Sequence, residues 1–214
     1  MVMRLASHNT QYGSSLIEIL VASLMGVMTL GVVGSILLAS LQITEHRGER
    51  LLLVDSIESV MLHIKQDIRR AGFNDARGVS VRLVGSTKTI YVSPASQQLG
   101  YVYRAASSVE GPFRNAFFKY YVSTTSSVGQ LKICEKHTSA PLDIASAAES
   151  GLLGNCYNLF DPKLISVSEF EVSTEVTSEH ARASQLVSVR LAGQLTQAPE
   201  VNYSSQITVR VRND

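Results

Sequence analysis

Residues 19–41 carry no charged side chain. An apolar run of about 23 residues is long enough to cross a bilayer as a helix. A chain that contains one must bury it, span a membrane with it, or cover it with other copies. Glu18 is the one charge between Arg4 and Glu45, and it stands at the head of the run. A carboxylate at the edge of hydrocarbon is costly, which makes Glu18 the first candidate for a functional residue. The plain alternative is an interfacial acid among headgroups. Small residues recur four apart along the run: Ala22 and Gly26, then Gly31, Ser35 and Ala39. That spacing lets helices approach closely in a membrane. It is also ordinary transmembrane composition, and both readings stand.

The run is preceded by Gly13-Ser14-Ser15-Leu16-Ile17-Glu18 and by a short polar leader with Arg4. This arrangement resembles the class III signal of type IV prepilins and type II secretion pseudopilins. A secretory leader would place its apolar region before the cut, whereas here it follows and stays with the mature chain. The resemblance implies that a prepilin peptidase cleaves after Gly13. Ser14 then becomes the N-methylated first residue and Glu18 the fifth. Tyr12 stands where the family often has Lys or Arg, and Ser14 where Phe or Met is usual. On this reading Glu18 pairs with the terminal amine of a neighbouring subunit. Low dielectric strengthens such a pair and leaves an unpaired charge costly, so the pairing would set the axial register between helices.

Beyond the run, Leu51, Val54, Ile57, Met61, Ile64 and Ile68 follow a three-four spacing that predicts an amphipathic continuation of the helix. Arg69 and Arg70 suit the carbonyl end of the helix dipole, and Gly72 suits a left-handed cap. A helix over residues 14–71 would be roughly 87 Å long at about 1.5 Å per residue. The ending Ile68-Arg69-Arg70-Ala71-Gly72-Phe73 is similar to that of PilW/PpdB-type minor pilins and, more loosely, of J-type pseudopilins.

From Val79 onward, short β-type runs alternate with turn residues. Strands are expected at Val79–Val84, Thr89–Ser93, Leu99–Arg104, Phe117–Val122, Gln130–Cys134, Leu164–Val176, Leu186–Ala192 and Gln206–Val211, with a short helix near Ile144–Ser150. Alternation such as Ile207, Val209 and Val211 predicts an antiparallel sheet with one wet face, whose partner is the helix stripe. The expected fold is therefore α+β, and the resemblance implies that it is pilin-like. Residues 1–13 form the leader, 14–41 a transmembrane and filament-core helix, 42–72 its amphipathic continuation, and 73–214 a β-rich domain.

Two cysteines, Cys134 and Cys156, read as a disulfide in a chain that resembles an exported one. Closing that loop contributes roughly 3 kcal/mol, and two buried free thiols are the alternative. The spacing fits no zinc site. Asp143, Glu149 and Asp161 flank the loop without the regular oxygen spacing of a calcium loop. No metal or other cofactor is implied.

No nucleophile elbow, phosphate loop, dinucleotide fingerprint or zinc-protease motif is present. The histidines His8, His46, His63, His137 and His180 are expected to be solvated, with His63 on a side face of the helix. Tyr101, Tyr103, Phe113, Phe117, Phe118, Tyr120 and Tyr121 lie near Arg104, Arg114 and Lys119. Such interleaving can bind single-stranded nucleic acid, but core filling is the favoured reading. With a net charge of +1, the whole chain gives no electrostatic case for a nucleic-acid partner.

The resemblance implies a non-enzymatic minor pilin. It would be held in the inner membrane by a single pass with its domain in the periplasm, then assembled into a pilus at the cell surface, in or near the tip complex. Its partners would be the prepilin peptidase, other minor pilins, the major pilin, the inner-membrane assembly platform and membrane lipid. A J-type pseudopilin of a type II secretion system is the alternative within the family. A membrane-anchored periplasmic binding or enzymatic domain is the alternative outside it.

Overall fold

A computed structural model describes residues 15–74, 78–95, 97–105, 111–149, 156–177 and 184–214. The fold is α+β. Helix α1 covers Leu16–Arg70, and among the described residues eight strands and a short helix follow. By their contacts the residues divide into two units, Met1–Gly48 and Glu49–Asp214. The first contains the apolar half of α1.

In the second unit five strands form one antiparallel sheet in sequence order: β1 (Ile90–Ser93), β2 (Gln98–Arg104), β3 (Phe113–Val122), β4 (Gly129–Thr138) and β5 (Tyr157–Asn158). Helix α2 (Ile144–Glu149) lies between β4 and β5 in sequence. A separate three-stranded antiparallel sheet holds β6 (Ile165–Thr177), β7 (Ser184–Leu195) and β8 (Asn202–Arg210). The sequence pattern led to one sheet with a wet face, and the structure has two sheets with different environments. In the five-stranded sheet, Leu99, Tyr101, Phe118 and Ile133 meet the helix, while Val102, Phe117 and Cys134 join Val81, Leu83 and Ala147 in a second cluster. With both faces covered, β2 is buried from Leu99 through Tyr103 and does not alternate. Strand β7 does alternate, because Val187, Val189 and Leu191 enter the core and Arg190 is exposed.

The helix stripe is shifted from its expected line. Leu53, Ile57, Val60, Met61, Ile64 and Ile68 are buried, whereas Leu51 is exposed and Val54 only half-buried. The helix ends as its sequence implies. Gly72 has φ +79°, and a Cβ there would come within 2.6 Å of the Asn213 carbonyl oxygen. The Asn213 side-chain amide donates to the Ala71 carbonyl at 3.1 Å, which satisfies an otherwise orphaned helix end.

Residues 79–84 form no strand. Val81 and Leu83 are buried on alternate positions, so the periodicity is real. The segment makes only an isolated bridge, Val84 to Asp143, and lies over the sheet instead of extending it. Strand β5 carries too few residues for a sequence pattern. The short helix falls where expected, and Ser150 lies outside the described residues.

The two sheets are joined by polar contacts at strand ends. Tyr120 donates to the Val167 carbonyl at 3.3 Å and the Gly129 N–H to Ser166 Oγ at 3.2 Å. Gln185 on β7, only 1% exposed, does more. Its side-chain carbonyl accepts from the Ile90 N–H at 2.9 Å, and its amide donates to the Ile90 carbonyl at 2.8 Å. One side chain thus takes the place of a neighbouring strand at the edge of β1. Replacing it with Gln185→Leu leaves both buried Ile90 groups unpaired, which costs about 2 kcal/mol or more. Urea unfolding of the full chain in nonionic detergent is expected to show a lowered midpoint, and an unchanged midpoint would refute the role.

Candidate functional site

Two regions carry the groups that matter, one in each unit. In the first unit, the Ser15 carbonyl accepts the N–H of Glu18 at 2.9 Å and of Ile19 at 3.3 Å, starting the helix. Glu18 lies exposed in the first turn, where a negative charge suits the helix dipole. Gly13 and Ser14 lie outside the described residues.

From Leu16 to Leu41 the mean hydropathy is 2.3 and no residue is buried. One apolar helix of this length is consistent with a single-pass membrane anchor. The hydroxyls within it are turned back on their own backbone. Ser23 donates to the Leu20 carbonyl at 2.9 Å, Thr29 to Gly26 at 2.9 Å, Ser35 to Val32 at 2.8 Å and Ser40 to Ile36 at 2.9 Å. At Gly26, Gly31 and Gly34 an added Cβ would meet nothing within 4 Å. The chain's own packing does not require those glycines, although each lowers helix propensity.

In the second unit, a charged cluster fastens α1 to the five-stranded sheet. Asp67 is 2% exposed. It accepts from the Tyr101 hydroxyl at 2.6 Å, from Arg114 Nη1 at 2.9 Å and from the Tyr103 hydroxyl at 3.4 Å. Nε2 of His63, one helical turn earlier, is 3.3 Å away. Arg114 also donates to the Tyr103 hydroxyl. Its other side grips Glu135, with Nε to Oε1 at 2.6 Å and Nη2 to Oε2 at 3.0 Å. The strand register builds the arrangement. Tyr103 pairs with Arg114 and Arg114 with His137, while Tyr101 pairs with Ala116 and Ala116 with Glu135. The small side chain of Ala116 stands between Tyr101 and Glu135, beside the guanidinium that bridges the two acids.

Burial works against ionisation of Asp67, but the His63 hydrogen bond, the Arg114 charge and the Tyr101 hydroxyl outweigh it and hold the carboxyl below its ordinary range. Burial, and then the Asp67 charge, push the Tyr101 hydroxyl well up. For Arg114, burial opposes the charge, but the bonds to Glu135 and Asp67 prevail and raise its pKa. The groups engage one another, so the arrangement acts as a lock.

Sequence reasoning missed this cluster. Asp67 follows Ile64 by three residues and precedes Ala71 by four, which puts a carboxylate inside the apolar stripe. That position was the available signal. His63 and His137 are not the freely solvated residues expected. His63 faces Asp67, and His137 lies largely buried 3.7 Å from Glu135, with no hydrogen-bond partner at Nδ1 among the described residues. His8 and His180 lie outside the described residues, as does the side chain of His46. The aromatic group is mostly core: Tyr101, Phe117 and Phe118 are fully buried, and Tyr103 nearly so.

Cys134 and Cys156 form a disulfide, with Cα atoms 4.2 Å apart. It belongs to the cluster beneath α2, where Lys119 Nζ donates to the Ala148 carbonyl at 2.7 Å. Residues 150–155 of the loop it closes lie outside the described set. Asp143 caps α2 by accepting the Ser146 N–H at 2.9 Å, and Asp161 accepts the Lys163 N–H at 2.9 Å. Among the described residues no three His, Cys, Asp or Glu side chains are grouped to hold a metal.

Among known proteins, a family model described as prepilin peptidase-dependent protein B matches residues 47–211. No curated protein and no solved structure matches the chain.

The lock makes two predictions. Arg114→Met leaves two buried carboxylates without their counter-charge and is expected to cost about 3–5 kcal/mol in chemical unfolding. Asp67 has a depressed folded pKa, so its contribution to stability is complete above its ordinary value of 3.8 and is lost as pH falls through the folded value. Melting temperatures of the native chain and Asp67→Asn should therefore differ at neutral pH and converge in acid. A gap that does not narrow would refute the assignment.

Proposed function

The chain belongs to the prepilin peptidase-dependent protein B family, and from that membership we propose that it is a minor type IV pilin. It is made as a prepilin, cut after Gly13 by prepilin peptidase and N-methylated on Ser14. It is held in the inner membrane by Leu16–Leu41, with its domain in the periplasm, before entering a pilus. There it helps to start assembly with other minor pilins and sits in or near the tip complex. Its role is packing and presentation, not enzymatic turnover. The observation that carries this reading is the family match over 47–211 joined to the apolar run Leu16–Leu41, none of it buried among the described residues.

Three features support the assembly step. Glu18 stands at the head of the helix, where a neighbour's terminal amine can neutralise it. The inward-turned hydroxyls leave the span with an apolar exterior. The open glycines allow close approach of another helix.

Mass spectrometry of the mature protein from its native host is expected to find N-methylated Ser14 at the N-terminus. A mature protein beginning at Met1 would refute the reading. Glu18→Ala should leave cleavage intact while sharply reducing incorporation into filaments, scored by immunoblotting of sheared pili. Undiminished incorporation would remove the charge-pairing step.

A further inference from the structure

The net charge of +1 conceals an uneven distribution. Where α1 ends, two concavities of about 430 and 480 Å³ share Arg69 and Arg212 as lining residues. The first adds Arg210, and the second adds Arg70, Arg104 and Phe73. Five arginines from three distant parts of the chain thus converge, with no lysine among the described lining residues. The single side-chain carboxylate among the described lining residues is that of Asp214, whose oxygens already accept from the Thr89 hydroxyl and the Gln185 N–H, both at 2.7 Å. Arg210 is held by Ser184 at 2.6 Å, and Arg104 lies over the Phe113 ring at 5.4 Å. Among the described residues, none of the five is paired with an acid. Phe73 is 47% exposed beside them, although an apolar ring at a helix end could have been buried.

Like charges gathered at this density repel unless an anion covers them. A single carboxylate would engage one or two guanidiniums. Two adjoining hollows sharing two arginines suit a chain of regularly spaced anions. Guanidinium forks match phosphate oxygens, and a half-exposed phenyl ring offers a stacking face to a base. The geometry points to a binding track for single-stranded nucleic acid, with phosphates on Arg69, Arg70, Arg104, Arg210 and Arg212 and a base stacked on Phe73. The track lies in the domain and uses none of the residues assigned to processing or filament packing, so it stands or falls separately from the proposed function. It also differs from the aromatic strip noted in the sequence, most of which is core.

The test uses the full chain in nonionic detergent and fluorescein-labelled oligo-dT, with binding followed by anisotropy across a salt series. Binding is expected to weaken with salt by a log–log slope of about −0.7 for each phosphate neutralised. Arg104→Ala and Arg212→Ala should each lower affinity and flatten that slope by about 0.7. Phe73→Leu should lower affinity about tenfold without changing the slope, and Phe73→Trp should restore it. Arg190→Ala, on β7 and lining neither concavity, should change nothing. Circular dichroism of each variant checks its fold, and Phe73→Leu is conservative enough to preserve it. Any of three results would overturn the proposal: no oligo-dT binding at low salt, equal competition by poly-glutamate of the same charge, or indifference to the ring at position 73. Poly-glutamate competition would identify an acidic protein segment as the occupant.

Discussion

The second unit depends on a buried charge held in place from both sides. Asp67 enters the core because it stands on the face of α1 that must be buried, and it remains ionised there because Arg114 and two tyrosines meet it. Arg114 in turn is tolerable because Glu135 accepts from its Nε and Nη2. Such a network contributes less net energy than an apolar replacement of good fit, but it is intolerant of partial loss. Its effect is positional. An apolar stripe on a helix tolerates sliding by a turn, and a carboxylate with three donors does not. The lock therefore fixes where along the sheet the helix sits, and the apolar residues from Leu53 to Ile68 supply the bulk of the burial.

What could be read from the residues beforehand follows the reach of the physics involved. The apolar span, the helix with its Arg-Arg ending and the left-handed Gly72 are local consequences of composition and backbone sterics. So are seven of the eight expected strands, whose β-type runs between turn residues mark them even where, as in β2, burial of both faces removes the alternation. The division into two sheets was not legible, because it rests on contacts between distant segments, such as Gln185 standing in for a strand beside Ile90. Residues 79–84 show the limit of periodicity: Val81 and Leu83 alternate as in a strand, yet no partner pairs with their backbone along a ladder. The line of the helix stripe was misjudged by a small rotation, since Leu51 and Leu53 fit a three-four spacing almost equally well. Of the candidate functional residues, Glu18 and the two cysteines stood out by rarity. Asp67 did not, because one acid among the several on that helix is unremarkable until its face is known.

The charge pattern has the same character. Arg69 and Arg70 read as helix-end residues, Arg104 as a strand end, and Arg210 and Arg212 as the close of the chain. Each has a sufficient local explanation. Only the return of β8 to the end of α1, with Asn213 on the last helical carbonyls, brings them to one place. Net charge is a sum over the surface, and the field a ligand meets is set by its distribution.

The serines and threonines of the apolar half of α1 have a consequence for mobility between surroundings. Because Ser23, Thr29, Ser35 and Ser40 donate to carbonyls of their own helix, none requires a bond from lipid, water or another protein. A helix so constituted can be extracted from one apolar medium and seated in another with no exchange of hydroxyl partners along its length. The step is close to isoenergetic in polar terms, and the balance between reservoirs falls to its single acid and to shape.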